Sequence, residues 1–117
     1  MKYMALIFSN EKTDPAYGTP EGGKLIQDYM TVTAKFQEDG VMVSGDALEG
    51  VATATTVKVR DGKVETMDGP YAETKEQLGG YYVFDVESLD EALKYAAMIP
   101  SAKSGTIEVR PIMEFDE

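Results

Sequence analysis

Residues Tyr3 to Phe8 are apolar without a break. A run that does not alternate suits a strand covered on both faces, because a strand with one wet face carries polar residues at every second position. From Ser9 to Gly18 the pattern is lost, and Asp14-Pro15 with Tyr17-Gly18 reads as an exposed loop. Thr19, Pro20 and Glu21 then provide an N-cap, a proline at the first helical position and an acid beside the positive end of the helix dipole. Leu25, Ile26, Tyr29, Met30, Thr33 and Phe36 recur at helical spacing, and Gly40 stops the helix.

Residues 41–45 form a second strand ending in a polar Asp46. Thr55 to Arg60 alternates, Asp61-Gly62 is a strong hairpin turn, and Lys63 to Met67 returns, so a two-stranded ribbon is predicted. Asp68-Gly69-Pro70 breaks it, and Tyr71 to Gly79 is a polar connection with room for one helical turn. Gly80 to Val86 is a strand again. Ser88-Leu89-Asp90-Glu91 is a capping box, opening a helix whose stripe is Leu89, Ala92, Leu93, Ala96 and Ala97 and which Pro100 ends. The last strand runs from Thr106 to about Met113, with Ile107 and Val109 on one face and Glu108 and Arg110 on the other.

With the ribbon set aside, the order is β-α-β, β-α-β. This is the ferredoxin-like α+β arrangement, a four-stranded antiparallel sheet with both helices on one face, here in one domain over residues 1–117 with an inserted β-hairpin. Pro111 agrees, since the final strand is then an edge and an edge tolerates a missing donor. Two helices cover only one face of such a sheet, yet the first strand is apolar on both. A second copy of the chain is expected on the open face, as a homodimer.

Composition narrows the chemistry. The 117 residues include 11 Lys and Arg, 21 Asp and Glu, and no His, Cys or Trp, for a net charge of −10. Thiolate nucleophiles, Ser-His-Asp relays, imidazole bases and ordinary zinc or haem sites are excluded, which leaves carboxylate, Lys, Arg and Tyr chemistry. The negative charge repels phosphate backbones and anionic lipid, so neither nucleic acid nor a membrane surface is expected as a partner. The short N-terminal apolar run falls below the length of a signal or spanning segment, and the expectation is a cytoplasmic protein. No carboxylate string has calcium-loop spacing and no glycine pattern fits a phosphate loop, so no metal and no cofactor is expected.

Three places gather candidate side chains. Asp68-Gly69-Pro70-Tyr71-Ala72-Glu73-Thr74-Lys75-Glu76 concentrates charges and an aromatic on a loop stiffened by glycine and proline; the plain alternative is a turn with solvated charges. Glu108 and Arg110 face away from the helical core, in a dimer interface or a cavity beside it, and an intersubunit ion pair is the simpler role. Asp46 is a carboxylate at a strand end, where capping is the ordinary use. Gly80-Tyr81-Tyr82-Val83-Phe84 superficially resembles the aromatic strand of an RNA-recognition domain, but the acidic chain favours core or interface for these rings.

The stretches Met1-Lys2-Tyr3-Met4, Thr53-Ala54-Thr55-Thr56-Val57, Asp68-Gly69-Pro70-Tyr71, Gly79-Gly80-Tyr81, Asp90-Glu91-Ala92 and Ile107-Glu108-Val109-Arg110-Pro111 closely resemble the DGPF branch of the YCII-related proteins, over nearly the whole chain. The signature reads Asp-Gly-Pro-Tyr here. The resemblance implies a ferredoxin-like subunit paired into a dimeric α+β barrel. Many YCII proteins carry a His-Asp pair in a cleft, and with no His that pair does not carry over, so Asp46 stands without the partner. Two functions follow as expectations. One is small-molecule binding at the barrel, as a carboxylate-based isomerase or lyase: Asp68 or Asp46 would be the base, Arg110 would neutralise an oxyanion, and Tyr71, Glu73, Lys75, Tyr81 and Glu108 would hold substrate. The other is a non-catalytic sensor or interaction module, because genes of this branch often accompany those of sigma factors.

Overall fold

The structure is a computed structural model that describes residues 1–115; Asp116 and Glu117, the end of the expected domain, lie outside the described residues. The elements are β1 (Lys2–Ser9), α1 (Pro20–Glu38), β2 (Met42–Ala47), β3 (Thr55–Arg60), β4 (Lys63–Asp68), β5 (Gln77–Asp85), α2 (Leu89–Ala96) and β6 (Thr106–Pro111), with short 3-10 turns at Val51–Thr53 and Pro100–Lys103. Four strands form one antiparallel sheet in the order β2-β5-β1-β6, and β3 pairs with β4 in a separate two-stranded sheet. This is the ferredoxin-like order with a hairpin inserted between β2 and β5.

The ends of α1 follow from its sequence. Thr19 Oγ1 accepts from the Gly22 amide at 3.0 Å, and Pro20 occupies the first turn, where no amide is needed. At the other end Gly40 is left-handed (φ 72°), the Gly40 amide donates to the Gln37 carbonyl and the Val41 amide to the Phe36 carbonyl. Those two bonds are a Schellman stop, and they turn the chain directly into β2. Gly22 is required by space: a Cβ there would meet the Ala16 carbonyl, which seats the Asn10–Gly18 loop against the helix start.

The core lies between the helices and one face of the sheet. Tyr3, Ala5 and Ile7 of β1 and Tyr82 and Phe84 of β5 face it, and Val32, Phe36, Ala92, Tyr95 and Ala96 cover them. Phe36 presents its edge to Tyr82, Phe84 and Tyr95 at centroid distances of 5.1, 4.9 and 5.8 Å. Edge-to-face contacts of this kind add about 0.5–1.5 kcal/mol each beyond burial.

Several features differ from expectation. β2 continues through Asp46 to Ala47, so this carboxylate lies within a ladder and does not cap its end. The connection after the ribbon contains no helical turn, and β5 starts early, at Gln77. β6 stops at Pro111. The buried stripe of α2 is Ala92, Tyr95 and Ala96, while Leu89 and Leu93 are about half exposed. The Tyr95 ring fills the gap beside Phe36 and Phe84, and its hydroxyl donates to Asp39 Oδ2 at 2.9 Å, so the helix turns the aromatic inward at the expense of two leucines.

Candidate functional site

A broad cleft of about 1340 Å³ opens between α1, the loop after β1, and the β2–β5 side of the sheet. Leu25, Ile26, Met30 and Ala34 of α1 provide one apolar wall, with Ile7 and Met42 of the sheet opposite. Two hydroxyl pairs are set into it. Tyr29 Oη lies 2.6 Å from Ser101 Oγ, and Thr33 Oγ1 lies 2.7 Å from Tyr82 Oη.

Both pairs follow from helical spacing. Tyr29 and Thr33 are one turn apart on the face of α1 that meets the sheet, so each polar end must find a partner there. Ser101 supplies one from the turn after Pro100, and Tyr82 supplies the other from β5. Burial pushes the Tyr29 and Tyr82 phenols above their ordinary range, with the bonds to Ser101 and Thr33 acting partly against it. At neutral pH both phenols are therefore protonated. Each pair holds two hydroxyl protons and uses one internally, which leaves one donor and several lone pairs for a guest.

The acid-rich rim is held by hydrogen bonds. Glu11 accepts from the Val51 amide at 3.1 Å, tying the loop after β1 to the turn after β2, and Ser9 Oγ donates to Asp14 Oδ2 at 2.6 Å. Among the described residues, Glu11, Asp14 and Glu49 line the cleft against one cation, Lys12, and Asp46 borders it with its carboxylate turned to Tyr81. No group of three Asp or Glu residues among the described residues is placed to hold a metal ion.

The candidates from sequence fall into two separate groups. Asp46 and Tyr81 are directly opposed across β2 and β5, and the Tyr81 hydroxyl donates to Asp46 Oδ2 at 2.6 Å. That bond raises the Tyr81 pKa. Gly45 and Tyr82 point to the helices, so this pair points to the other face of the sheet. Glu108 and Arg110 share that open face, where Arg110 Nε donates to Glu108 Oε2 at 3.1 Å, while Ile107 and Val109 pack inward as expected. Register sets the four in two rows, Asp46-Tyr81-Leu6-Glu108 and Ser44-Val83-Met4-Arg110.

Asp68, Tyr71, Glu73 and Lys75 form the second group, all exposed at the foot of the β3–β4 ribbon and none lining the cleft. There the Gly69 amide donates to the Ala54 carbonyl at 2.7 Å and Thr56 Oγ1 donates to the Gly69 carbonyl at 2.8 Å, closing the ribbon's base. Reading the sequence missed Tyr29, Thr33, Tyr82 and Ser101 as site residues. The available signal was a pair of hydroxyl residues at i and i+4 inside an otherwise apolar helical stripe.

The model of the YCII-related domain matches residues 1–116. The chain belongs to the YCII-related family. It is 37% identical over 114 residues to an uncharacterized protein of Rhizobium meliloti, covering 96% of this chain and 92% of that one. In structure it is similar to a 5-chloro-2-hydroxyhydroquinone dehydrochlorinase from Burkholderia phenoliruptrix, solved with 2,5-dihydroxybenzoquinone. That match has a TM-score of 0.55 at 13% identity and covers 98% of this chain and 96% of the other, a likeness of fold.

Proposed function

We propose that this YCII-related protein binds a small hydroxylated ring compound in the cleft beside α1. The observation that carries the reading is the pair of hydroxyl couples in an otherwise apolar wall, Tyr29 with Ser101 and Thr33 with Tyr82. Apolar walls take the faces of a ring, and a few fixed hydroxyls orient its polar substituents. Three carboxylates, Glu11, Asp14 and Glu49, against Lys12 on the lining favour an uncharged or cationic guest over an anion. The dehydrochlorinase of similar fold acts on a hydroxylated six-membered ring, which supports the size class.

Calorimetric titration with hydroquinone, catechol and resorcinol tests this, with benzoate as the charged control. At least one phenol is expected to bind, benzoate more weakly, and Tyr29→Phe or Ser101→Ala should weaken the phenol by about tenfold, the cost of one lost hydrogen bond. Equal affinities in parent and variants would remove the cleft from consideration.

Isomerase or lyase chemistry is a second reading, favoured by the 2.6 Å bond between Tyr81 and Asp46, a ready proton path. Arg110 is engaged by Glu108, so an oxyanion would have to compete for it. The open face that carries these groups has an apolar middle of Met4, Leu6, Tyr81 and Val83 between polar edges. A second copy seated there would make the dimeric α+β barrel and enclose them, and we take that homodimer as the working assembly.

A further inference from the structure

We infer that the β3–β4 ribbon is a clasp that lies against a second copy of this chain. Asp61 (φ 52°) and Gly62 (φ 75°) close it in a type I′ turn, whose twist matches the strands. Its register sorts the side chains into unlike faces. Val57, Val59 and Val64 lie on one, and Lys58, Arg60 and Lys63 on the other. The three valines are 63, 58 and 70% exposed, so no described residue of the same chain covers them. A two-stranded ribbon with an uncovered apolar face is at best marginally stable in water. Its projection also shows in the dimensions: the radius of gyration is 16.3 Å, where about 13 Å is expected for a compact chain of this length.

Charge permits a second copy as the occupant. Lys58, Arg60 and Lys63 balance Asp61, Glu65 and Asp68, so the ribbon is neutral and the whole surplus of −10 lies elsewhere in the chain. None of the three cations is in a salt bridge among the described residues. Another copy carries the same acidic body, and the neutral ribbon is a segment that approaches it without adding repulsion. The exposed valines offer on the order of 300 Å² of apolar-residue surface on one face, about a third of what each partner gives to a standard interface, and the apolar open face of the sheet can supply the rest.

The inference rests on the homodimer taken above, and the test separates the two. Sedimentation equilibrium of the full chain gives the mass and the dimer dissociation constant. Val57→Thr, Val59→Thr and Val64→Thr are then combined in one variant, which keeps β-branched side chains in the strands and removes only apolar surface. The parent is expected to be a dimer, and the variant to dissociate at least about tenfold more readily with an unchanged far-ultraviolet spectrum. Val59→Asp with Val64→Asp should do more, since it sets charges where apolar surface is to be covered. A dimeric parent with both variants equally tight would overturn the clasp and leave the homodimer standing. A monomeric parent would overturn both.

Discussion

One sheet has two unlike faces in this protein. On the helix side Tyr3, Ala5, Ile7, Tyr82 and Phe84 are each less than 10% exposed, and the ring of Phe36 closes the layer. On the other side Met4, Leu6, Phe8 and Leu78 stay partly open, flanked by Ser44 and Asp46 at one edge and Glu108 and Arg110 at the other. Side chains one residue apart in β1 thus meet opposite fates. The continuous apolar run Tyr3 to Phe8 makes sense only if both faces are meant to be dry, and the chain itself dries one.

The largest effects should separate these faces by kind. Phe36 is fully buried and makes three edge-on ring contacts, so Phe36→Ala should cost about 3–5 kcal/mol in chemical denaturation at any protein concentration. Leu6→Asp places its charge on the open face, in the row between Tyr81 and Glu108. Its melting temperature should fall only where the parent's depends on concentration, because the loss belongs to association. Equal, concentration-independent losses in both variants would erase the distinction between the faces.

A smaller effect concerns how polar atoms are carried into the covered face. Thr33→Val leaves the Tyr82 hydroxyl, on a residue 6% exposed, without its partner; the expected loss is about 1–3 kcal/mol. Thr33→Val together with Tyr82→Phe should recover part of it, since two apolar groups of matching shape leave nothing unpaired. A double variant no better than the single would mean that the hydroxyls are already served by solvent from the cleft.

The same contrast explains which parts were legible in sequence. The elements were readable because their signals are local: the Thr19-Pro20 start and Gly40 stop of α1, the Asp61-Gly62 turn, and the alternation of Ile107 to Arg110 all act within a few residues. The α2 stripe was misjudged because hydropathy ranks Leu89 and Leu93 above a tyrosine, whereas packing rewarded the ring that fits beside Phe36. The cleft was hidden for another reason. Tyr29 and Ser101 are 72 positions apart, and only the completed fold sets their hydroxyls 2.6 Å from each other. The Asp68 to Lys75 loop drew notice through its residue types, and local pattern carries no information on its distance from a cleft that other elements build.

The smallest effect is spectroscopic, and it separates the two faces through the causes of their phenol shifts. Tyr29 and Tyr82, on the covered face, are raised by burial, and Tyr81, on the open face, is raised first by its bond to the Asp46 carboxylate. In each case the folded pKa exceeds the unfolded value of about 10. The folded state therefore holds more protons than the unfolded state above pH 10, and the associated stability is present below that point and is lost as pH rises through the folded pKa values. Ultraviolet titration should show Tyr29, Tyr81 and Tyr82 ionising late. Asp46→Asn removes the carboxylate that holds the Tyr81 proton, so it should return one phenol towards pH 10 and leave the two covered ones where they were. An unchanged titration in this variant would show that Tyr81 is held by cover and not by Asp46, and the open face would then be drier than a single chain can make it.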